Sequence, residues 1–121
     1  MSRKALVVDD STSMRQMLTY TLQQVGFDVL QGAHGKDGLQ HLNAGKVDLV
    51  ITDLNMPEMD GITFIRSLRQ IETCRFTPVL MLTTESQESK KLEGKAAGAT
   101  GWIVKPFDPE KLLAVVKRLV G

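Results

Sequence analysis

Residues 49–64, Leu-Val-Ile-Thr-Asp-Leu-Asn-Met-Pro-Glu-Met-Asp-Gly-Ile-Thr-Phe, constrain the fold of this chain most. A short apolar run stops at Thr52-Asp53, and Pro57 and Asp60-Gly61 then impose a turn before a new apolar pattern begins. A continuous apolar run without alternation suits a strand buried on both faces, the habit of parallel sheets. A carboxylate at the carboxyl end of such a strand stands where α/β sheets bind ligands.

The same punctuation recurs along the chain. Ala5–Val8 is an apolar run that ends in Asp9-Asp10-Ser11. From Ser13 the period changes to three and four through Met14, Met17, Leu18, Thr21, Leu22 and Val25, predicting an amphipathic helix closed by Gly26. Ser11, Thr12 and Ser13 each offer it an N-capping hydroxyl. Phe27–Leu30 reads as a more polar strand, hence an edge, and residues 35–43 as a short helix with Leu39 and Leu42 on one side. Residues 47–52 are the third strand, and Ile62, Phe64, Ile65, Leu68 and Ile71 mark the third helix. Pro78 opens a fourth strand, Val79–Leu82, that ends at Thr83-Thr84.

Residues 87–97 make the weakest helix. Leu92 is its one large apolar residue, and Gly94 costs about 1 kcal/mol against alanine, so it should be loosely held and mostly solvated. Trp102–Val104 is the fifth strand, and Asp108-Pro109 cap and open a last helix with Leu112, Val116, Leu119 and Val120 inward. Five βα units predict one α/β domain over residues 1–121, a parallel sheet with helices on both faces.

Fifteen basic and fourteen acidic residues give a net charge of +1, which argues against binding nucleic acid or membrane through bulk charge. The apolar segment after Met1-Ser-Arg-Lys is too short for a signal peptide, and no run approaches a membrane span, so a cytoplasmic protein is expected. The single cysteine, Cys74, forms no internal disulfide and reads as a passive residue near a helix end. His34 and His41 stand alone and suggest no zinc.

On this reading Asp9 and Asp10 follow strand one, Asp53 ends strand three, Thr83 follows strand four and Lys105 follows strand five. One rim of the sheet therefore gathers three carboxylates, a hydroxyl and an ammonium. Clustered carboxylates repel unless a cation joins them, and an all-oxygen set favours a hard ion, Mg²⁺. A carboxylate can attack phosphorus to give an acyl phosphate, with Lys105 and the metal stabilising the equatorial oxygens. The bland alternative has Asp9 and Asp10 capping a helix and Lys105 pairing with one of them; it leaves the convergence of four strand ends unexplained.

Asp9-Asp10, Asp53, Asn55-Met56-Pro57, Asp60-Gly61, Thr83 and Lys105-Pro106-Phe107 together resemble the receiver domain of two-component response regulators. The likeness spans essentially the whole chain, with every signature position in order, and is strongest to single-domain chemotaxis members. It implies a (βα)5 flavodoxin-like, doubly wound parallel sheet with strand order 2-1-3-4-5. It implies that Asp53 accepts a phosphoryl group from a histidine kinase. Asp10, Asp53 and the backbone carbonyl of Asn55 would hold Mg²⁺, and Asp9 would act through a bound water. Lys105 would contact the phosphoryl group, Thr83 would turn to hydrogen-bond it, and the Lys105-Pro106 peptide would be cis.

Trp102 falls at the family's switch aromatic, where tyrosine or phenylalanine is usual; otherwise it is a tryptophan at the core's edge. Asn55 and Glu85, each two residues past a signature residue, fall where the family tunes dephosphorylation. The resemblance implies no enzyme beyond self-phosphorylation and autodephosphorylation. The last helix runs to the end of the chain, so no effector domain is expected and output would be binding through helix 4, strand 5 and helix 5. Lys90, Lys91, Lys95, Lys111 and Lys117 there could receive an acidic partner or simply be solvated. The implied partners are a chemotaxis histidine kinase, the flagellar motor switch and a phosphatase, with neither nucleic acid nor membrane. A phosphorelay shuttle or phosphate sink would use the same site.

Two other classes fit less well. Phosphate hydrolases with an aspartyl nucleophile usually carry a D-x-D pair after the first strand, whereas here Asp53 is followed two along by Asn55. A flavin-binding module is suggested by Ser11-Thr12-Ser13, but Asp9 and Asp10 would repel its phosphate.

Overall fold

Apolar runs and helical periods alternate along the computed structural model, which describes residues 3–84 and 88–120. The strands are β1 (Arg3–Val8), β2 (Phe27–Gly32), β3 (Leu49–Asp53), β4 (Val79–Thr84) and β5 (Gly101–Lys105). The helices are α1 (Thr12–Gln23), α2 (Gly35–Ala44), α3 (Gly61–Leu68), α4 (Glu88–Ala97) and α5 (Pro109–Val120), with one 3₁₀ turn at Glu72–Cys74. All four strand pairs are parallel, in the order β2-β1-β3-β4-β5, so the sheet is the expected doubly wound, flavodoxin-like one. The more polar β2 takes an edge. Among the described residues, no helix is long and apolar enough to cross a membrane.

Each face of the sheet has its own core, because residues of a strand alternate between faces. Leu6, Val8, Val50 and Met81 face Phe64, Ile65 and Leu68 of α3. Ala5, Val7, Ile51, Leu80 and Leu82 face Leu18 and Leu22 of α1 and Leu112 and Val116 of α5. Register then aligns the carboxyl ends: Val8 is opposite Thr52, Asp53 opposite Leu82, and Thr84 opposite Lys105.

Helix ends depart from the apolar pattern. Ser11 is the N-cap of α1, its hydroxyl accepting the Met14 N–H. That helix stops at Gln23; Val25 is 52% exposed rather than inward, and Gly26, expected as the cap, lies beyond the helix at φ +95°. Tight turn bonds from Val25 and Gly26 to Leu22 and Gln23 close the chain after the helix. Similarly, α3 ends at Leu68, and Ile71 opens the 3₁₀ turn that buries Cys74. The third strand runs to Asp53 rather than starting at Val47, which puts the carboxylate inside the ladder.

The fourth helix packs in an unexpected way. Leu92 is 71% exposed, and Gly94 is the buried residue, lying so close to Met81 that a Cβ there would collide with its sulfur. The absence of a side chain brings α4 onto the sheet. Leu119 and Val120 of α5 are only half-buried.

Candidate functional site

Asp9 extends the β1–β2 pairing, its N–H donating to the Gly32 carbonyl at 3.1 Å. That places its side chain inside the rim, 1% exposed, where Oδ1 accepts the Ser11 N–H at 2.8 Å. Oδ2 is buried with no hydrogen-bond partner, although Lys105 Nζ lies 3.7 Å away. Asp10, next in sequence, is exposed. Asp53 is 7% exposed and its Oδ1 accepts both the Leu54 N–H (2.9 Å) and Lys105 Nζ (3.1 Å). Carboxylate oxygens of Asp9, Asp10 and Asp53 lie within 4.8 Å of one another.

The electrostatics are those of a cation-binding rim. Burial pushes the Asp9 carboxyl above its usual range, and the charges of Asp53 and Asp10 push it further. The Ser11 N–H and the Lys105 ammonium oppose this. Lys105 pairs with Asp9 and Asp53, and Oδ2 of Asp9 stays buried without a hydrogen bond. An all-oxygen donor set with a buried, unpartnered carboxylate oxygen fits Mg²⁺.

The remaining residues of the expected site are spread around this centre. Thr83 is 1% exposed, and its hydroxyl is buried without a hydrogen-bond partner. Asn55 is exposed on the β3–α3 loop, beside a small 70 Å³ cleft that Lys90 and Asp60 also line. The Lys105–Pro106 peptide is cis. Trp102, 39% exposed, borders a groove with Val115 and Leu119 on the α5 side. Glu85 lies outside the described residues. Two of the five lysines on the output face are already engaged within α4, Lys90 with Glu93 (3.4 Å) and Lys91 with Glu88 (3.2 Å).

Two supporting residues, Arg15 and Arg69, were not anticipated, and Gly61, expected as a turn residue, also supports the site. Arg15 donates to the Asp9 carbonyl at 2.6 Å from the first turn of α1, holding the backbone that carries the carboxylate. Its cation six residues after Asp9 was the only signal. Gly61 lets α3 start against the Asp53 backbone, since a Cβ would overlap the Asp53 carbonyl oxygen. Arg69 donates to the carbonyls of Gly98 (2.7 Å) and Cys74 (2.6 Å), tying the end of α3 to the turn after α4.

Comparison with known proteins agrees with this arrangement. The model of the response regulator receiver domain family matches residues 5–117. The chain is 40% identical over 121 residues to the chemotaxis protein CheY-3 of Vibrio cholerae, covering 96% of this chain and 93% of that one. It is 37% identical to the alkaline phosphatase synthesis transcriptional regulatory protein PhoP of Bacillus subtilis, over 99% of this chain but about half (49%) of that longer protein. The solved structure of CheY4 of Vibrio cholerae superimposes with a TM-score of 0.94 at 48% identity, covering 98% of this chain and 99% of that one. Sequence, fold and acidic rim coincide in one conclusion: the chain belongs to the response regulator receiver domains of two-component systems and is CheY-like.

Proposed function

We propose that Asp53 accepts a phosphoryl group from a phosphohistidine of a kinase, with Mg²⁺ held by Asp10, Asp53 and the Asn55 carbonyl and by Asp9 through water. The observation that carries this reading is Asp53 itself, a nearly buried carboxylate on a rigid strand end, 3.1 Å from an ammonium and ringed by two further carboxylates. Mg²⁺, when bound, supplies positive charge to the carboxylates and to the phosphoryl oxygens. A carboxylate oxygen of Asp53 attacks phosphorus, the P–N bond to the donor breaks, and its electron pair leaves with the imidazole. Lys105 neutralises charge on the transferring group, and the Leu54 N–H orients the carboxylate. No external substrate is turned over; the domain phosphorylates itself and later loses the group to water, at a rate that Asn55 and Glu85 tune.

The signal leaves by the α4–β5–α5 face. Adding nearly two negative charges recruits the unpartnered Thr83 hydroxyl toward the phosphoryl oxygens. Thr83 lies in register with Val104, two residues along β5 from Trp102, so its movement frees space for the half-exposed indole. The thinly packed α4, seated through Gly94, moves at little cost. Relatives covered over most of their length are named as chemotaxis proteins, and on our reading the partner is the flagellar motor switch, with a chemotaxis kinase upstream. The test is binding of a motor-switch peptide, measured with and without a small phosphodonor. Tighter binding on phosphorylation supports the motor reading, whereas no binding together with phosphoryl return to a histidine phosphotransferase replaces it with a relay.

A further inference from the structure

The opposite, amino-terminal end of the strands carries a second surface that the phosphoacceptor chemistry does not use. Phe76, in the loop before β4, is 90% exposed. Such exposure is unusual for phenylalanine, and Val25, half-exposed after α1, lies at the same end of the sheet. Three grooves meet there. One of about 240 Å³ passes Val25 and Phe27, one of about 330 Å³ passes beneath Leu119, and one of about 380 Å³ passes Phe76. Arg3 and Val120 line the first two and Asp48 and Pro78 the last two, so they form one trough. It crosses under the sheet from the α1–α5 layer to the α2–α3 layer.

Charge is divided between the two ends of the trough. Its α5 end carries Arg3 and Lys117, while at its Phe76 end Asp48 and Glu72 outnumber Lys46. A bound segment of uniform charge would meet like charge at one end. A second copy turned through a two-fold axis would not, because its basic end then faces the acidic end and the same patch serves both chains. The rotation also turns Phe76 of each copy toward the Val25 end of the other's trough.

We propose that this trough is a self-pairing surface, in which two copies of the chain associate through Phe76 and the Glu72–Lys117 charge pairing. An exposed aromatic entering an apolar groove is the usual anchor of such contacts, and a stable pair buries roughly 800 Å² per partner. The acidic rim lies at the far end of the strands and stays open, so pairing is independent of phosphorylation.

Sedimentation velocity on the whole chain tests this. Between about 5 µM and about 500 µM the mass should rise from 13.4 kDa toward twice that value. Phe76→Asp should raise the dissociation constant at least about tenfold. Glu72→Lys should weaken pairing, and the double variant Glu72→Lys with Lys117→Glu should restore it, all with unchanged urea midpoints. A chain that remains monomeric throughout, leaving the trough to a different protein, overturns the proposal. So does a dimer that Phe76→Asp leaves intact, or one that forms only after phosphorylation.

Discussion

Replacing Gly61 with alanine probes how the site is supported. The added Cβ would overlap the Asp53 carbonyl oxygen and stand 2.9 Å from Leu54 Cα and 3.1 Å from the Asp53 carbonyl carbon. Ordinary carbon contacts lie near 3.5–4.0 Å, so something must move by roughly half an ångström or more. The obstacle is backbone, and it belongs to β3, whose five residues are all buried between β1 and β4. The start of α3 must therefore yield, straining the 2.9 Å bond from the Gly61 N–H to the Leu54 carbonyl. Overpacking costs about 1–3 kcal/mol and the weakened hydrogen bond about 1 kcal/mol. Alanine returns at most about 1 kcal/mol through helix propensity. The net is a loss of about 1–3 kcal/mol, read as a lower urea midpoint at unchanged slope. Phosphoryl uptake should slow as well, because Leu54 also donates to Asp53. A midpoint at or above wild type would refute the claim that α3 is seated directly on the phosphoacceptor strand.

Further outcomes follow from single features of the site. Thr83→Val replaces a buried, unpartnered hydroxyl with a methyl, so the unphosphorylated domain should gain about 1 kcal/mol in denaturant melts while losing its phosphorylation-dependent response. Asp9 has a folded pKa above its unfolded value, so the folded state holds that proton more tightly and loses stability as pH rises between the two. Asp9→Asn should therefore be the more stable protein at pH 7 without Mg²⁺, with the advantage closing below about pH 4, and calorimetry should show weaker Mg²⁺ binding. Arg69→Met leaves the carbonyls of Cys74 and Gly98 without their donor and should cost about 2–4 kcal/mol in chemical denaturation.

The sheet and its functional rim were legible because both depend on patterns local in sequence. An uninterrupted apolar run marks a buried strand, and a polar residue that stops it marks the strand's end, which is where Asp53 and Lys105 stand. What escaped depends on partners distant along the chain. Gly94 reads as a helix weakness until Met81 is seen beneath it, and Leu92, the helix's one large apolar residue, faces solvent. Arg69 looks like any surface cation, yet it bonds a carbonyl 29 residues away. The end of α1 was overestimated because Val25 continues the apolar period past the point where the backbone has already turned.

The central claim is that Asp53 is the phosphoacceptor and that the acidic rim supplies the metal it needs. Intact-protein mass spectrometry after incubation with a small phosphodonor tests it directly, with Mg²⁺, with a chelator, and in Asp53→Asn. The account expects one added phosphoryl group only in the Mg²⁺ sample of the wild-type chain, mapped to Asp53. An unmodified wild-type chain, or an Asp53→Asn chain modified to the same extent, would contradict it.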